Sequence, residues 1–319
     1  MMQTRRRRDG FTLIELLTVI GIIVILVSIL LPVVSAVRKR AYQTSSAAMI
    51  SRISTAIQAY FADFQAYPGP VPDNMISPNP TTGITGITGS LTSSENLVLG
   101  LLGGLTPTPS TPGSVTYLPQ QILDRRGPSS LNANSPRQYA SYINVQNNEL
   151  SPFDTGKKDF TPYSSLATNV VLTDLSPPKT FPKPTVADTT VPEFYDHFPS
   201  PRPIIYLRAR VGTPFMYLGS PAGGTKAKLD YQYDPGQLTP YWIGGTPGSL
   251  FPTIPDVDQN AGVAVYQTPF DFFKHPTIND SPNSNPLLAR TPRGKDAYIL
   301  ISAGADGIYG TKDDIIYSN

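Results

Sequence analysis

Three carboxylates near the C-terminus, Asp306, Asp313 and Asp314, fall within SAGADGIYGTKDDII, residues 302–316, with glycines at 304, 307 and 310. Hard cations such as Ca²⁺ take about six to eight oxygens from carboxylates and backbone carbonyls on a loop that can curl. Glycine permits the curl, and no sulfur or imidazole is present in the stretch to favour a transition metal. It is not an EF-hand, because the alternating acids and the closing glutamate are missing. On chemistry alone, calcium competes with a solvated Asp-Gly hairpin closed by Asx turns. A second acidic run, Asp256-Val-Asp258-Gln-Asn260, alternates like the start of an EF-hand, but Ala261 replaces the turn glycine and Gln267 the closing carboxylate. Ser176-Pro-Pro-Lys179 has the SxxK spacing of acyl-serine enzymes. That chemistry needs a helix start, whereas the prolines here indicate extended chain.

Other chemistries lack parts. The chain has no cysteine, which removes disulfides, thiolate metal sites and a Cys nucleophile. Its two histidines, His197 and His275, are too far apart in sequence for a zinc-hydrolase helix. A formal charge of +2 over 319 residues gives no basic field of the kind nucleic-acid binding needs, so no nucleic-acid partner is expected. With 34 Pro and 25 Gly, much of the chain is turn and irregular loop.

One further carboxylate stands out by its surroundings. Glu15 lies inside Phe11–Leu31, where the only other non-apolar residues are Thr12, Thr18, Gly21 and Ser28. Twenty-one residues at about 1.5 Å each cover roughly 30 Å, the hydrocarbon thickness of a bilayer. A core helix would show a polar stripe, and a secretory signal would be shorter and end at a small-residue cleavage site; a membrane-spanning helix is expected. Arg5–Arg8 precede it and Arg38, Lys39 and Arg40 follow, so charge counting alone orients it only weakly. A carboxylate at a membrane-helix centre costs about 2.5–3.5 kcal/mol, and such groups normally have a partner or reach for the interface.

The leader ending at Gly10 and the run Phe11-Thr12-Leu13-Ile14-Glu15 resemble the class III signal of type IV pilins and type II secretion pseudopilins. The resemblance implies cleavage after Gly10 by a prepilin peptidase on the cytoplasmic face, methylation of the new Phe11 terminus, and a head on the periplasmic or extracellular side of the inner membrane. Arg8, seven residues before Glu15, leaves with the leader. The resemblance also implies that Glu15 meets the Phe11 amine of a neighbouring subunit as a filament grows. In the lone monomer, a carboxylate reaching to the interface is the competing account. Removing residues 1–10 takes away four Arg and one Asp, turning the formal charge from +2 to −1.

The helix is expected to continue to Ala66. Ile50, Ile53, Ile57, Tyr60, Phe61 and Phe64 form an amphipathic stripe, and Tyr67-Pro68-Gly69-Pro70 ends it. Phe11 to Ala66 would measure roughly 84 Å, half in lipid and half against a globular head. Pro32 removes a backbone donor at about 3 kcal/mol, so a kink or a locally melted turn is expected there. Pilins commonly carry a proline at the matching place.

The remaining chain, 68–319, reads as an α+β head with Pro/Gly-rich loop insertions. GITGITG (83–89) reads as a surface loop, and Thr92-Ser93-Ser94-Glu95 as a capping box opening a short buried helix stopped by Gly103-Gly104. Strands are predicted at Tyr139–Val145, Asn169–Leu172, Pro203–Val211, Pro214–Leu218, Gly262–Tyr266, Ala297–Ser302 and Asp314–Ser318. Together they suggest an antiparallel meander with one face under the N-terminal helix. Trp242 reads as a core aromatic. Ser200-Pro-Arg-Pro-Ile-Ile-Tyr206 resembles the pseudopilin turn that leads into a strand, although that family's tryptophan is absent.

Major pseudopilins carry a Gly-Ala-Asp-Gly loop followed by paired aspartates that binds calcium. The resemblance therefore implies side-chain ligands at Asp306, Asp313 and Asp314, with carbonyls of Ala303 and Ile308 as candidates. The division expected is a leader (1–10), a transmembrane and amphipathic helix (11–67) and a head (68–319). The function implied is a structural subunit of a type II secretion pseudopilus. Its partners would be the prepilin peptidase, copies of itself, other pseudopilins and the inner-membrane assembly platform. A type IV pilus subunit for adhesion, motility or DNA uptake and a membrane-tethered enzyme are the alternatives, the last without a nucleophile–base–orienter set in the sequence.

Overall fold

A computed structural model describes residues 13–72, 76, 84–87, 91–108, 114–130, 137–146, 149–152, 170–172, 179–181, 190–210, 233, 237, 292–307, 309 and 313–318. The first element, α1 (Leu13–Phe64), is a single helix of 52 residues. Gln65, at φ 51°, ends it with its N–H still bonded to the Phe61 carbonyl, and Pro68 and Pro70 prevent its resumption. Pro32 lies inside the unbroken helix, so the melted turn expected there is absent. Nearby hydroxyls bond back onto the ladder: Ser35 donates to the Pro32 carbonyl at 2.8 Å and Ser28 to that of Ile25 at 2.7 Å.

The two halves of α1 meet different surroundings. From Leu13 to Val37 every residue is exposed, whereas Ser46, Met49, Ile50, Ile53, Ser54, Ala56, Ile57 and Tyr60 are buried. Their spacing is the helical stripe read from the sequence. It lies on α2 (Ser93–Leu102) and on a three-stranded antiparallel sheet.

Every residue of α2 is buried. Its start follows from side-chain chemistry: the Thr92 hydroxyl accepts from the Glu95 N–H at 3.0 Å, and the Glu95 carboxylate accepts from the Thr92 N–H at 2.7 Å. Gly103 closes it. Within a smaller sheet, β1 (Ile84–Thr85) runs parallel to β3 (Val115–Tyr117), which pairs antiparallel with β2 (Leu105–Pro107). Part of GITGITG is therefore strand rather than free loop, because Ile84 packs on the core edge beside Val115. A five-residue helix, α3 (Pro119–Leu123), follows.

The expected strand at Tyr139–Val145 is irregular chain. Its N–H groups go singly to separate partners, Tyr139 to the Pro128 carbonyl and Tyr142 to that of Leu101. The latter satisfies one of the last carbonyls of α2, a competing use that wins over ladder pairing. Short pairs follow: β4 (Leu150–Pro152) with β7 (Pro192–Phe194), and β5 (Val170–Leu172) with β6 (Lys179–Phe181).

The main sheet has β9 (Tyr298–Ser302) between β8 (Ile205–Arg208) and β10 (Ile315–Ser318), both antiparallel to it. Tyr298 and Leu300 enter the core shared with Ile53 and Ile57, while Ile299 and Ile301 are buried on the other face. A central strand covered on both sides needs this continuous apolar run. The architecture is α+β and pilin-like, as expected. The predicted strands Pro214–Leu218 and Gly262–Tyr266, with Trp242, His275, Ser176 and the Asp256–Asn260 run, lie outside the described residues.

Candidate functional site

Two regions carry the residues singled out by sequence: the exposed half of α1 and the C-terminal loop. Leu13–Phe64 is long and apolar enough to cross a membrane, and its most apolar stretch has no buried residue. A core helix of similar composition would be covered by protein. Here an unbroken backbone joins a fully exposed apolar rod to a packed head. Glu15 is exposed in the first turn of α1. There the helix dipole favours a negative charge by about 0.3–1 kcal/mol, less than the roughly 2.5–3.5 kcal/mol cost of a charge at mid-bilayer. Gly10 and Phe11 lie outside the described residues.

Where α1 enters the head, polar contacts fix it in register. Arg52 Nη1 donates to Glu149 Oε1 at 2.6 Å, and Arg52 Nη2 donates to the Asn144 carbonyl and to Glu149 Oε2. His197 stands with Nε2 3.6 Å from the same carboxylate and Nδ1 2.8 Å from the Ser45 hydroxyl. Burial alone would raise the Glu149 carboxyl, but Arg52, the Gln146 N–H and His197 together hold it below its ordinary value. Further along, the Ser54 and Tyr298 hydroxyls meet at 2.9 Å, and Tyr142 donates to Asp63 at 2.6 Å. The one sequence signal for this clamp was Arg52 itself, the sole charge between Arg40 and Asp63. Glu149 lies 97 residues away, beyond local pattern.

The C-terminal loop leaves β9 at Ser302. Asp313 Oδ2 accepts the N–H groups of Ala305 at 2.7 Å and Asp306 at 3.2 Å, closing the turn. Gly304 has φ +70°, and a Cβ there would stand 2.3 Å from the Asp313 carbonyl oxygen, so only glycine fits. A Cβ on Gly307, at φ +71°, would meet Arg202 Nε at 3.1 Å. Arg202 thus packs directly against the loop. Beneath it, the Ser302 hydroxyl donates to Asp196 Oδ2 at 2.7 Å, and Tyr309 donates to the Pro203 carbonyl. These contacts fasten the loop to the turn at 196–203. Asp196 was not foreseen, and nothing in its sequence spacing marks it; Arg202 lies in the Ser200–Tyr206 segment singled out from the sequence, but its contact with this loop was not read there.

Of the predicted calcium ligands, Asp306 is exposed, Asp313 and Asp314 are half-buried, Ala303 is buried and Ile308 lies outside the described residues. Among the described residues no group of three or more His, Asp or Glu side chains is gathered closely enough to hold a metal ion. The loop is shaped instead by Asp313 bonding to its backbone. As arranged, the three aspartates are not a ready-made coordination shell.

Residues 5–31 match the prokaryotic N-terminal methylation motif, the prepilin-type motif of type IV pilin-like proteins. No curated protein and no solved structure matches the chain.

Burial pushes the Asp196 carboxyl up to about 6, against hydrogen bonds from the Arg202 N–H and Ser302 hydroxyl and the Arg202 charge. A carboxyl raised above its unfolded value adds stability below pH 3.8 that is lost as pH rises through about 6. Subtracting the unfolding free energy of Asp196→Asn from that of the parent at each pH should isolate this dependence. The difference is expected to fall by about 2 kcal/mol between pH 4 and 7; a flat difference would refute the burial account.

Proposed function

We propose that this chain is a structural subunit of a type II secretion pseudopilus, processed by prepilin peptidase and polymerised through α1 to support protein export. The observation that carries the reading is a methylation motif at residues 5–31 whose exposed apolar helix continues unbroken into a packed head. A helix with one half uncovered and the other clamped suits a subunit held in a bilayer first and among neighbouring helices afterwards. The motif belongs to structural proteins, and no catalytic role is proposed.

In this reading residues 1–10 are a cytoplasmic leader, 11–67 anchor and assemble, and 68–319 form a head on the periplasmic or extracellular side. Cleavage after Gly10 exposes the Phe11 amine, and Glu15 of an adjacent copy pairs with it. Pro32 marks the place at which the helix bends in the filament. The partners are the peptidase, further copies, other pseudopilins and the inner-membrane assembly platform. A Gly-Ala-Asp-Gly loop followed by paired aspartates, with no cysteine in the chain, favours a pseudopilin. The length of the head between residues 68 and 295, most of which the resemblance does not cover, supports a second reading as a minor type IV pilus subunit.

Calcium belongs to the same proposal. Asp306, Asp313 and Asp314 would offer carboxylate oxygens, and Ala303 and Ile308 carbonyls. Since Asp313 is engaged by the Ala305 and Asp306 N–H groups, binding has to regroup these side chains.

Mass spectrometry of the protein from membrane and sheared-surface fractions should find N-methyl-Phe11 as its terminus. An unprocessed Met1 or Met2 terminus sinks the prepilin reading. Glu15→Ala is expected to leave insertion and cleavage intact while lowering incorporation into filaments about tenfold, equivalent to roughly 1.4 kcal/mol; normal incorporation would remove the pairing. Millimolar Ca²⁺ should raise the melting temperature and chelator lower it, because a ligand of the native state stabilises by mass action. A melting temperature that neither treatment moves counts against the site.

A further inference from the structure

Arg38, Lys39 and Arg40 serve neither region described above. All three are exposed on α1 immediately after Val37, the last strongly exposed apolar residue of the rod. The ion pairs among the described residues involve Arg52, Arg126 and His197, and none of these three. From Leu16 to Ala62 the helix contains no Asp or Glu, and the only other basic residue, Arg52, is matched by Glu149. The result is a collar of three positive charges that make no ion pair among the described residues. Successive helical residues are about 100° apart, so the three sweep roughly 200° of the circumference.

Position gives the collar a chemical setting. Arg38 to Arg40 lie roughly 10–14 Å along the axis beyond Leu31 and directly beyond Val37. The polar layer of a bilayer extends about 5–8 Å past the hydrocarbon on each side. Long basic side chains lie along apolar surface and place their charge at the polar boundary. Wherever between Leu31 and Val37 the hydrocarbon ends, these stems reach the phosphate layer. Tyr42, partly exposed with its ring 6.4 Å from that of Phe198, adds an aromatic of the kind enriched at that depth. Burial begins at Ser46, so the head leaves the collar open. On the head side, these charges oppose the orientation favoured by Arg5–Arg8. They therefore do not serve insertion.

We propose that Arg38, Lys39 and Arg40 bind anionic phospholipid headgroups of the leaflet facing the head, through the lipid phosphates. The inference rests on the membrane-spanning reading of α1. The bound leaflet would hold an unassembled subunit at a fixed depth, and entry into a filament would require that lipid to be released.

The test uses the full chain with Arg5, Arg6, Arg7 and Arg8 each replaced by Gln, so that the collar is the only basic cluster at the membrane. It is reconstituted into phosphatidylcholine vesicles containing a trace of spin-labelled phosphatidylglycerol or spin-labelled phosphatidylcholine. Flotation reads insertion, and electron spin resonance reads the motionally restricted lipid. At low salt the anionic probe should be preferred about fivefold or more, the effect of roughly one basic residue at an anionic surface. The preference should fall towards one in about 1 M salt, where the screening length is about 3 Å. It should do the same in the variant that adds Arg38→Gln, Lys39→Gln and Arg40→Gln, whose melting temperature should match its parent's because the collar makes no ion pair with the described residues of the head. A ratio near one in the parent, or an unchanged ratio in the collar variant, overturns the proposal. A ratio near one combined with loss of chain–chain crosslinks in the collar variant also overturns it, assigning the charges to carboxylates of a neighbouring copy. Failure to float removes the spanning reading and the collar with it, a result separate from insertion without preference.

Discussion

The packing of the second half of α1 against the main sheet organises this molecule. Ile50, Ile53 and Ile57 project one helical stripe into a core shared with Tyr298 and Leu300 of β9 and with the leucines of α2. Fully burying each such side chain contributes about 1.5–3 kcal/mol relative to leaving it exposed. Apolar contact by itself would let a helix slide or rotate by a turn. The Arg52–Glu149 pair, the Ser54–Tyr298 hydroxyl contact and the Tyr142–Asp63 bond remove that freedom. With Arg52 exposed and only Glu149 buried, the pair adds little net stability, but removing Arg52 takes away the main partner of a buried carboxylate. The pair's contribution is register, and register determines where the exposed rod stands relative to the head.

The C-terminal loop depends on the same sheet. β9 carries it out of the core at Ser302 and β10 brings the chain back, while the turn at 196–203 holds it from beneath through Asp196, Arg202 and Pro203. Gly304 is there because the Asp313 carbonyl occupies the space a Cβ would need, and Gly307 because its backbone sits at φ +71°. The loop's conformation is thus specified by contacts within the protein, before any ligand is considered.

Features set by local spacing were legible in the sequence. The stripe from Ile50 to Phe64, the Thr92–Glu95 capping box, the Gly103 stop and the apolar run of β9 each follow from neighbours within one or two turns or strands. The apolar segment around Glu15 was equally plain. Misreadings arose where a distant partner decided the outcome. Tyr139–Val145 has strand-forming residues, but the carbonyl of Leu101 takes the Tyr142 N–H. Ile84 and Thr85 sit among glycines, but pairing with Val115 and Thr116 makes them a strand. At the sites, Glu15 and the glycines of the loop could be chosen from sequence alone. Asp196 and Glu149 could not, because each acts on a group about a hundred residues away.

The placement of the polar contacts along α1 also has a mechanical meaning. Ser45, Arg52 and Ser54 span about 13 Å of helix axis, and their partners on the head lie to the side. A pull along the rod therefore loads the Ser45–His197, Arg52–Glu149 and Ser54–Tyr298 contacts in shear and in parallel, so that all must yield together. A sideways push on the lipid end would instead open them one after another, starting at Ser45. The joint is strong in tension along the helix and weak against bending, the behaviour of a drawbar.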